Sequence, residues 1–164
     1  MVIWIIGISG VGKTFYAKKL LGKVNLKKKI HIDGDEIRSF FFKKLGYSKN
    51  DRRISGNLTV KLCSFLESKG YIVVCSMQSM FPDMQKKNRL IFKNYLQIHL
   101  QAKLSDLKKR NNKNIYNNKK NVLGVNLKLP KPYKSDFVFQ NDFSNKYKKD
   151  LKKILLKIKR LIHH

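Results

Sequence analysis

Acidic residues are scarce in this sequence of 164 residues, which has 10 aspartates and glutamates, 37 lysines and arginines, and a formal charge of +27. Such a charge is typical of proteins that bind anions, and a nucleic-acid partner is one hypothesis. The lysines do not cluster on one element, however, because they occur at 27–29, at 119–120 and throughout the C-terminal segment. Asn, Ile and Phe are frequent as well. This composition indicates that the many lysines arose by drift in an AT-rich genome and not by selection for a partner. We therefore expect no nucleic-acid partner.

Cysteines and long apolar runs are also scarce. Cys63 and Cys75 lie in apolar surroundings without the spacing of metal ligands, which indicates buried, reduced thiols. No apolar run has the length of a membrane span, and the first residues do not read as a signal peptide. We therefore expect a cytoplasmic protein without a membrane partner. The length indicates one domain over residues 1–162, and we interpret His163 and His164 as the remainder of an expression tag.

A glycine-dense turn near the N-terminus carries the first motif. Residues 7–14 read GISGVGKT and fit the phosphate-binding pattern G-x-x-x-x-G-K-[ST] without a mismatch. The β-branched run Val2–Ile6 predicts a buried parallel strand before the turn, and residues 14–21 predict a helix after it. The N–H groups of such a loop surround a phosphate, and the helix dipole favours the same anion. The predicted nucleotide-binding residues are Gly7, Ser9, Gly10, Val11, Gly12, Lys13 and Thr14.

A second motif, IDGDEIR, narrows the chemistry to phosphoryl transfer. Asp33 and Asp35 follow a short strand at 30–32, which we expect to lie beside the first strand. One carboxylate can hold Mg²⁺ while the other accepts a proton from an attacking hydroxyl. Lys13 would reach the outer phosphates, and the predicted metal ligands are the Thr14 hydroxyl and Asp33.

Strand and helix patterns alternate along the rest of the chain without internal repeats. Further strands are predicted at 71–76, 96–102 and 137–140. Asn50 and Asp51 are the expected N-cap of a helix that ends at Gly70. The polar, irregular stretch at about 111–134 is typical of a lid. The sequence predicts an α/β fold of the P-loop NTPase type, a three-layer sandwich with a central parallel sheet and a lid segment.

Some classes of P-loop protein fit this sequence poorly. It has neither the switch regions nor the guanine-specificity motif of a GTPase, and the chain is too short for a motor or a helicase. A compact P-loop domain with a lid is typical of a small-molecule kinase. An inactive scaffold and a kinase for another small metabolite stay open as alternatives.

The motifs together resemble the adenylylsulfate kinase family, whose members phosphorylate the ribose 3′-hydroxyl of adenosine 5′-phosphosulfate. The opening IWIIGISGVGKTFYAKKL is similar to the family's first strand and loop, IDGDEIR to its aspartate motif, and LGYSKNDR to its LGFS..DR segment. Arg110 and KNIY resemble RDPKGLY, Ser79 falls on the serine of ISP, and Gly124 falls on the glycine of FTGID. The resemblance covers nearly the whole chain.

The resemblance implies a role for each matching residue, with ATP as phosphoryl donor, Mg²⁺ as cofactor and a small-molecule nucleotide as substrate. Asp35 would be the base or orienting group for the 3′-hydroxyl, and Arg110 would bind ATP and offset charge on the transferring phosphoryl group. The implied catalytic residues are Lys13, Asp33, Asp35 and Arg110. The implied substrate-binding residues are Asp35, Arg38, Tyr47, Arg52, Ser55, Gln78, Ser79, Lys113, Val122 and Gly124. Relatives in the family are commonly dimers, which leaves a homodimer open.

Departures from the family pattern concern the surroundings of the substrate base. Ser55 replaces an asparagine, Gln78 lies in the altered FISP segment, and Val122 replaces the aromatic residue of FTGID. With Tyr47 as the one aromatic wall, stacking of a purine would weaken by about 0.5–1.5 kcal/mol, while the Gln78 amide can donate and accept at a base edge. This pattern is similar to a relative of the family, cytidine diphosphoramidate kinase, which acts in capsule phosphoramidate biosynthesis. Adenylylsulfate kinase itself is the alternative.

Overall fold

The computed structural model describes residues 1–41, 45–78, 81–110 and 129–162. Within these ranges five strands alternate with six helices. The strands are β1 Val2–Ile6, β2 Lys29–Asp33, β3 Ile72–Ser76, β4 Tyr95–Gln101 and β5 Phe137–Gln140. The helices are α1 Lys13–Leu21, α2 Gly34–Phe41, α3 Lys49–Ser68, α4 Pro82–Ile91, α5 Leu104–Arg110 and α6 Tyr147–Ile162. None of the helices described is long and apolar enough to span a membrane.

The five strands form one parallel sheet in the order β2-β3-β1-β4-β5. β1 lies at the centre and is buried along its whole length, which explains its continuous apolar sequence. The expectation that β2 would lie beside β1 is wrong, because the crossover through α1 skips one position and β3 fills it. The carboxyl ends of parallel strands share one edge of the sheet, so Asp33 still reaches the loop that follows β1.

An apolar layer covers each face of the sheet, which confirms the predicted three-layer sandwich. Alternate residues of a strand point to opposite faces, so Ile3 and Ile5 pack against α1 and α6, while Trp4 packs against α3 and α4. Cys63 and Cys75 are both buried in the second of these layers and form no disulfide. The prediction of buried, reduced thiols is confirmed.

α3 begins at a different cap from the expected one. Ser48 is the N-cap: its hydroxyl accepts from the Asp51 N–H at 3.2 Å, and the Asp51 carboxylate accepts from the Ser48 N–H at 3.2 Å. This reciprocal pair is a capping box, so Asp51 contributes from the third helical position and Asn50 is not the cap. The helix ends as expected before Gly70, whose φ is +82°.

Most of the stretch predicted as a lid, at about 111–134, lies outside the described residues. Its described end is attached to the sheet and to α4. The Tyr133 N–H donates to the Gln85 side chain at 2.7 Å, and the Tyr133 carbonyl accepts from the Gln97 side chain at 2.7 Å. Because Gln97 is fully buried in β4, the chain is firmly anchored at Tyr133, just before it enters β5.

Two glycines permit close packing beside the carboxyl edge of the sheet. A Cβ atom added to Gly34, the first residue of α2, would lie 2.9 Å from the Cβ and 3.4 Å from the Cα of Met77. A Cβ atom added to Gly56 of α3 would lie 2.7 Å from the Cε of Met84. The Met84 methyl group is the end of a flexible side chain that can move, whereas the Met77 atoms are fixed to the backbone.

We expect Gly34→Ala to lower the free energy of unfolding by about 1–3 kcal/mol, the usual cost of overpacking. Gly56→Ala is the control, since it also adds one methyl group to a helix; inside α3 it gains about 0.5–1 kcal/mol of helix propensity, whereas Gly34, the first residue of α2, gains less. Urea denaturation of both variants measures the difference. A loss for Gly34→Ala no larger than that for Gly56→Ala would contradict this account.

Candidate active site

The glycine-rich loop turns between the end of β1 and the start of α1. Gly12 is the N-cap of α1 and has a φ of +97°, a conformation that residues with a side chain rarely adopt. Lys13 and Thr14 are the first residues of the helix, so both lie at its positive end. The Lys13 Nζ donates to the Ile8 carbonyl of the loop at 2.9 Å. The predicted phosphate-binding residues therefore form one turn at the carboxyl end of the central strand.

Asp33 connects this loop to β2 and β3. Its carboxylate accepts from the Thr14 hydroxyl at 2.6 Å, the Asp35 N–H at 2.9 Å and the Ser76 hydroxyl at 3.1 Å. The His31 Nε2 lies 2.8 Å from the Ser76 oxygen. Burial raises the pKa of Asp33, but the hydrogen bonds, with a smaller contribution from His31, outweigh burial and hold that pKa below its ordinary value. Asp33 is therefore ionised at neutral pH.

The oxygen atoms of Thr14 and Asp33 suit Mg²⁺, a hard cation that prefers oxygen ligands. In the described part of the chain, no group of three or more His, Cys, Asp or Glu side chains could hold a metal ion alone. Mg²⁺ commonly takes one or two protein ligands and fills its remaining positions with phosphate oxygens and water. The residues present fit a Mg²⁺ ion that arrives with a nucleotide.

Two arginines and a tyrosine form a cluster near Asp35, at the start of α2 and α3. Arg38 lies one turn after Asp35 on α2; it donates to the Gly46 carbonyl, and its Cζ is 4.9 Å from the centre of the Tyr47 ring. Arg52 donates from Nε to the Tyr47 carbonyl at 3.0 Å, and its Cζ is 5.4 Å from the same ring. Tyr47 is 54% exposed, so its ring is not part of the apolar core.

Arg52 is a buried cation, only 8% exposed. Burial and then repulsion from Arg38 lower the pKa of Arg52, while Tyr47 and Asp35 raise it in part. A desolvated guanidinium with a second cation nearby favours an anionic ligand, because the ligand offsets both effects. The cluster can therefore bind a phosphate-like group next to Asp35.

Gln78 is oriented by Arg52, whose Nη1 donates to the Gln78 Oε1 at 2.8 Å. A guanidinium has donors and no acceptor, so Gln78 must present its carbonyl oxygen to Arg52. The Gln78 Nε2 therefore points away from that contact and can only donate to a ligand. The Gln78 Oε1 has a second lone pair, so use of this amide as both donor and acceptor at a base edge stays a prediction.

Ser55 lies one turn after Arg52 on α3 and is fully buried. Its hydroxyl oxygen has no hydrogen-bond partner among the described residues. The structure thus brings six of the implied substrate-binding residues into one region: Asp35, Arg38, Tyr47, Arg52, Ser55 and Gln78. The other four lie outside the described residues: Ser79, Lys113, Val122 and Gly124.

A cavity of about 400 Å³ opens beside Gly10 and Gly12, toward β5. Arg110, the last residue of α5, lies over the Phe143 ring with its Cζ 4.2 Å from the ring centre. Phe15 and Tyr147 pack edge to face with ring centres 5.0 Å apart and line the same cavity. Aromatic and cationic side chains next to a phosphate loop suit a nucleobase.

Sequence reasoning predicted Arg110 at a nucleotide site but missed most of the cavity wall. Asn141 and Phe143 belong to the connection from β5 to α6, and Tyr147 is the first residue of α6; none of them is part of a recognisable motif. They lie near the loop because β1, β4 and β5 are parallel and end at the same edge of the sheet. Arg110 lies on this cavity and not in the cluster around Asp35.

Comparisons with known proteins assign this chain to a family. The model of the adenylylsulphate kinase family matches residues 1–140. The chain is similar to the cytidine diphosphoramidate kinase of Campylobacter jejuni, with 32% identity over 167 aligned positions that cover 96% of this chain and 95% of that protein. It is also similar to a probable adenylyl-sulfate kinase of Pyrococcus abyssi, with 31% identity over 116 positions, 70% of this chain and 67% of that protein.

A solved structure supports the same architecture. The APS kinase of Mycobacterium tuberculosis, solved in complex with AMPPNP and APS, superposes with a TM-score of 0.83 at 20% identity, over 96% of each chain. At that identity the likeness concerns the fold, which it confirms as that of a P-loop kinase. The family match and these two curated relatives, both kinases by name, carry the assignment further. This chain is an ATP-dependent phosphotransferase and belongs to the adenylylsulfate kinase family.

Proposed function

We propose that this enzyme phosphorylates the ribose 3′-hydroxyl of a nucleotide with a modified 5′ phosphate, and that this nucleotide is cytidine diphosphoramidate. The observation that carries the proposal is the cluster of Arg38, Tyr47 and Arg52 next to Asp35. It offers two guanidinium groups to a 5′ anion beside a carboxylate that can take a proton from a hydroxyl. The likeness to the Campylobacter jejuni enzyme, over nearly the full length of both chains, supports the choice of acceptor.

The donor ATP would bind on the loop, with its phosphates accepting hydrogen bonds from the loop N–H groups and from Lys13. Its base would occupy the cavity beside Arg110 and Phe143. Thr14 and Asp33 would hold Mg²⁺, which neutralises negative charge on the phosphates when bound. Asp33 is already ionised and oriented by three hydrogen bonds, so this ligand needs little rearrangement.

The acceptor would bind on the opposite side of the loop. Arg38 and Arg52 would hold the 5′ anion and thereby fix the position of the ribose, which is the main way that kinases gain rate. Asp35, in the first turn of α2, would accept the proton of the 3′-hydroxyl. Arg110 lies over the Phe143 ring, so it would have to move from that ring toward the loop to offset charge on the transferred phosphoryl group, the role that the family resemblance implies.

Adenylylsulfate kinase activity is the second candidate, and the match of residues 1–140 to that family's model favours it. The two candidates share the reaction centre and differ in the base and in the 5′ substituent. The Gln78 amide can donate to an acceptor atom of either base, so it does not separate the two candidates. The aliphatic residue Val122, where the family has an aromatic ring, is therefore the feature that favours cytosine, since a pyrimidine loses less stacking than a purine.

The proposal predicts that the reaction centre depends on Lys13 and Asp35. We expect Lys13→Ala to lower kcat about 100-fold or more, because it removes a donor to the developing charge. Asp35→Asn should lower kcat by about 100- to 10,000-fold, as loss of a general base does. Steady-state kinetics with cytidine diphosphoramidate would measure both. Lys19→Ala on α1 and Glu36→Gln on α2 are matched controls, and their kcat should stay close to that of the wild type. If Asp35→Asn also kept the kcat of the wild type, Asp35 would have no part in the mechanism.

A panel of acceptors tests the identity of the substrate. With ATP and Mg²⁺, we expect kcat/KM for cytidine diphosphoramidate to exceed that for adenosine 5′-phosphosulfate about tenfold or more, a difference of only about 1.4 kcal/mol. CDP and ADP in the same panel separate the contribution of the base from that of the 5′ substituent. Val122→Phe should narrow the gap by restoring a second ring. If adenosine 5′-phosphosulfate proves the better acceptor of the wild type, the cytidine proposal is wrong.

Gln78 offers a separate test of the acceptor side. Gln78→Leu removes the acceptor for Arg52 Nη1, so we expect KM for the acceptor to rise about tenfold with little change in kcat, since anion binding contributes equally to the ground and transition states. Gln140→Leu, which changes an exposed glutamine of β5, is the control. An unchanged acceptor KM in Gln78→Leu would show that the bond to Arg52 does not support substrate binding.

A further inference from the structure

Asn141 is a buried amide at the end of β5 that contacts the phosphate loop. It is 6% exposed, and its backbone N–H donates to the Gln101 carbonyl at 2.7 Å, which extends the pairing of β5 with β4. Its side-chain Nδ2 donates to the Val11 carbonyl at 2.8 Å. Its Oδ1 accepts from the Phe143 N–H at 3.0 Å. Both ends of the amide are therefore used, one on the loop and one on the cavity wall.

The bond from Asn141 to Val11 sets the orientation of one peptide group in the loop. In a trans peptide, the carbonyl oxygen and the following N–H point in opposite directions. With the Val11 oxygen directed toward the Asn141 side chain, the Gly12 N–H points away from that side chain. If this peptide turned over, a carbonyl oxygen would replace that N–H and repel a phosphate.

Two further contacts restrict the same peptide. The Val11 side chain is fully buried in the apolar layer that contains α1 and α6. At Gly12, a Cβ atom would lie 2.8 Å from the Asn141 Nδ2, so the loop and the amide are in direct contact there. The loop is thus fixed by Val11 in the core and by Asn141 from the side of the cavity.

We propose that Asn141 is a positioning residue for the phosphate donor. Its bond to the Val11 carbonyl holds the loop with the Gly12 N–H directed at the phosphates, and its bond to the Phe143 N–H holds the ring on which Arg110 lies. One side chain thereby aligns the phosphate loop with the wall of the donor cavity. This inference concerns donor binding alone and does not depend on which nucleotide is the acceptor.

Asn141→Ser tests the proposal with the smallest change. A serine oxygen can still accept from the N–H two residues on, but it is too short to reach Val11. Isothermal titration without acceptor would measure Kd for Mg²⁺ with ATP and for Mg²⁺ with tripolyphosphate, which carries phosphates but no base. We expect both Kd values to rise about tenfold, while Kd for whichever of cytidine diphosphoramidate and adenosine 5′-phosphosulfate is the better acceptor of the wild type stays within about twofold of its wild-type value.

The matched control is Asn88→Ser, the same change at a 2% exposed amide of α4, a helix that packs on the opposite face of the sheet from α1. It should leave both donor Kd values unchanged, and melting temperatures show that each variant is folded. If Asn141→Ser does not fold, Asn141→Leu, which removes both side-chain bonds at similar volume, replaces it. A loss of ATP affinity with unchanged tripolyphosphate affinity would mean that Asn141 contacts the base. Unchanged affinity for both ligands would leave only a structural role, and either result overturns the proposal.

Discussion

The hydrogen bond from Thr14 to Asp33, 2.6 Å long, joins the two halves of the active site. Thr14 belongs to the helix that follows β1, Asp33 ends β2, and β3 separates the two strands. Ser76 at the end of β3 donates to the same carboxylate, so the intervening strand reinforces the link. Because Asp33 also accepts from the Asp35 N–H, fixing one aspartate fixes the start of α2. The acceptor side of the site is thereby aligned with the phosphate loop.

The same arrangement of a guanidinium over an aromatic ring occurs on both sides of the loop. Arg38 and Arg52 lie near the Tyr47 ring on the acceptor side, and Arg110 lies over Phe143 on the donor side. A ring restricts the position of a long cationic side chain without neutralising its charge. Cations lie near rings elsewhere in the chain as well, for example Arg53 over Phe81 and Lys28 near Tyr71, so what distinguishes Arg38, Arg52 and Arg110 is their position beside the phosphate loop.

Local patterns predicted the parts of the site that are close in sequence, and they failed where distant segments meet. The loop motif and the two aspartates were recognisable because spacing alone defines them. The place of β2 in the sheet was not, because the crossover through α1 can skip a strand. Gln78 is turned by Arg52, 26 residues away, and Asn141 binds Val11, 130 residues away. No local pattern in the sequence indicates either contact.

A crystal structure of the enzyme with CDP and a non-hydrolysable ATP analogue tests most directly whether donor and acceptor bind on opposite sides of the phosphate loop. The account predicts the 5′ phosphates of CDP within hydrogen-bond distance of Arg38 and Arg52, its 3′-hydroxyl on Asp35, and the base of the ATP analogue beside Arg110 and Phe143. A CDP molecule bound with its ribose away from Asp35, or with its phosphates away from both arginines, would contradict the account.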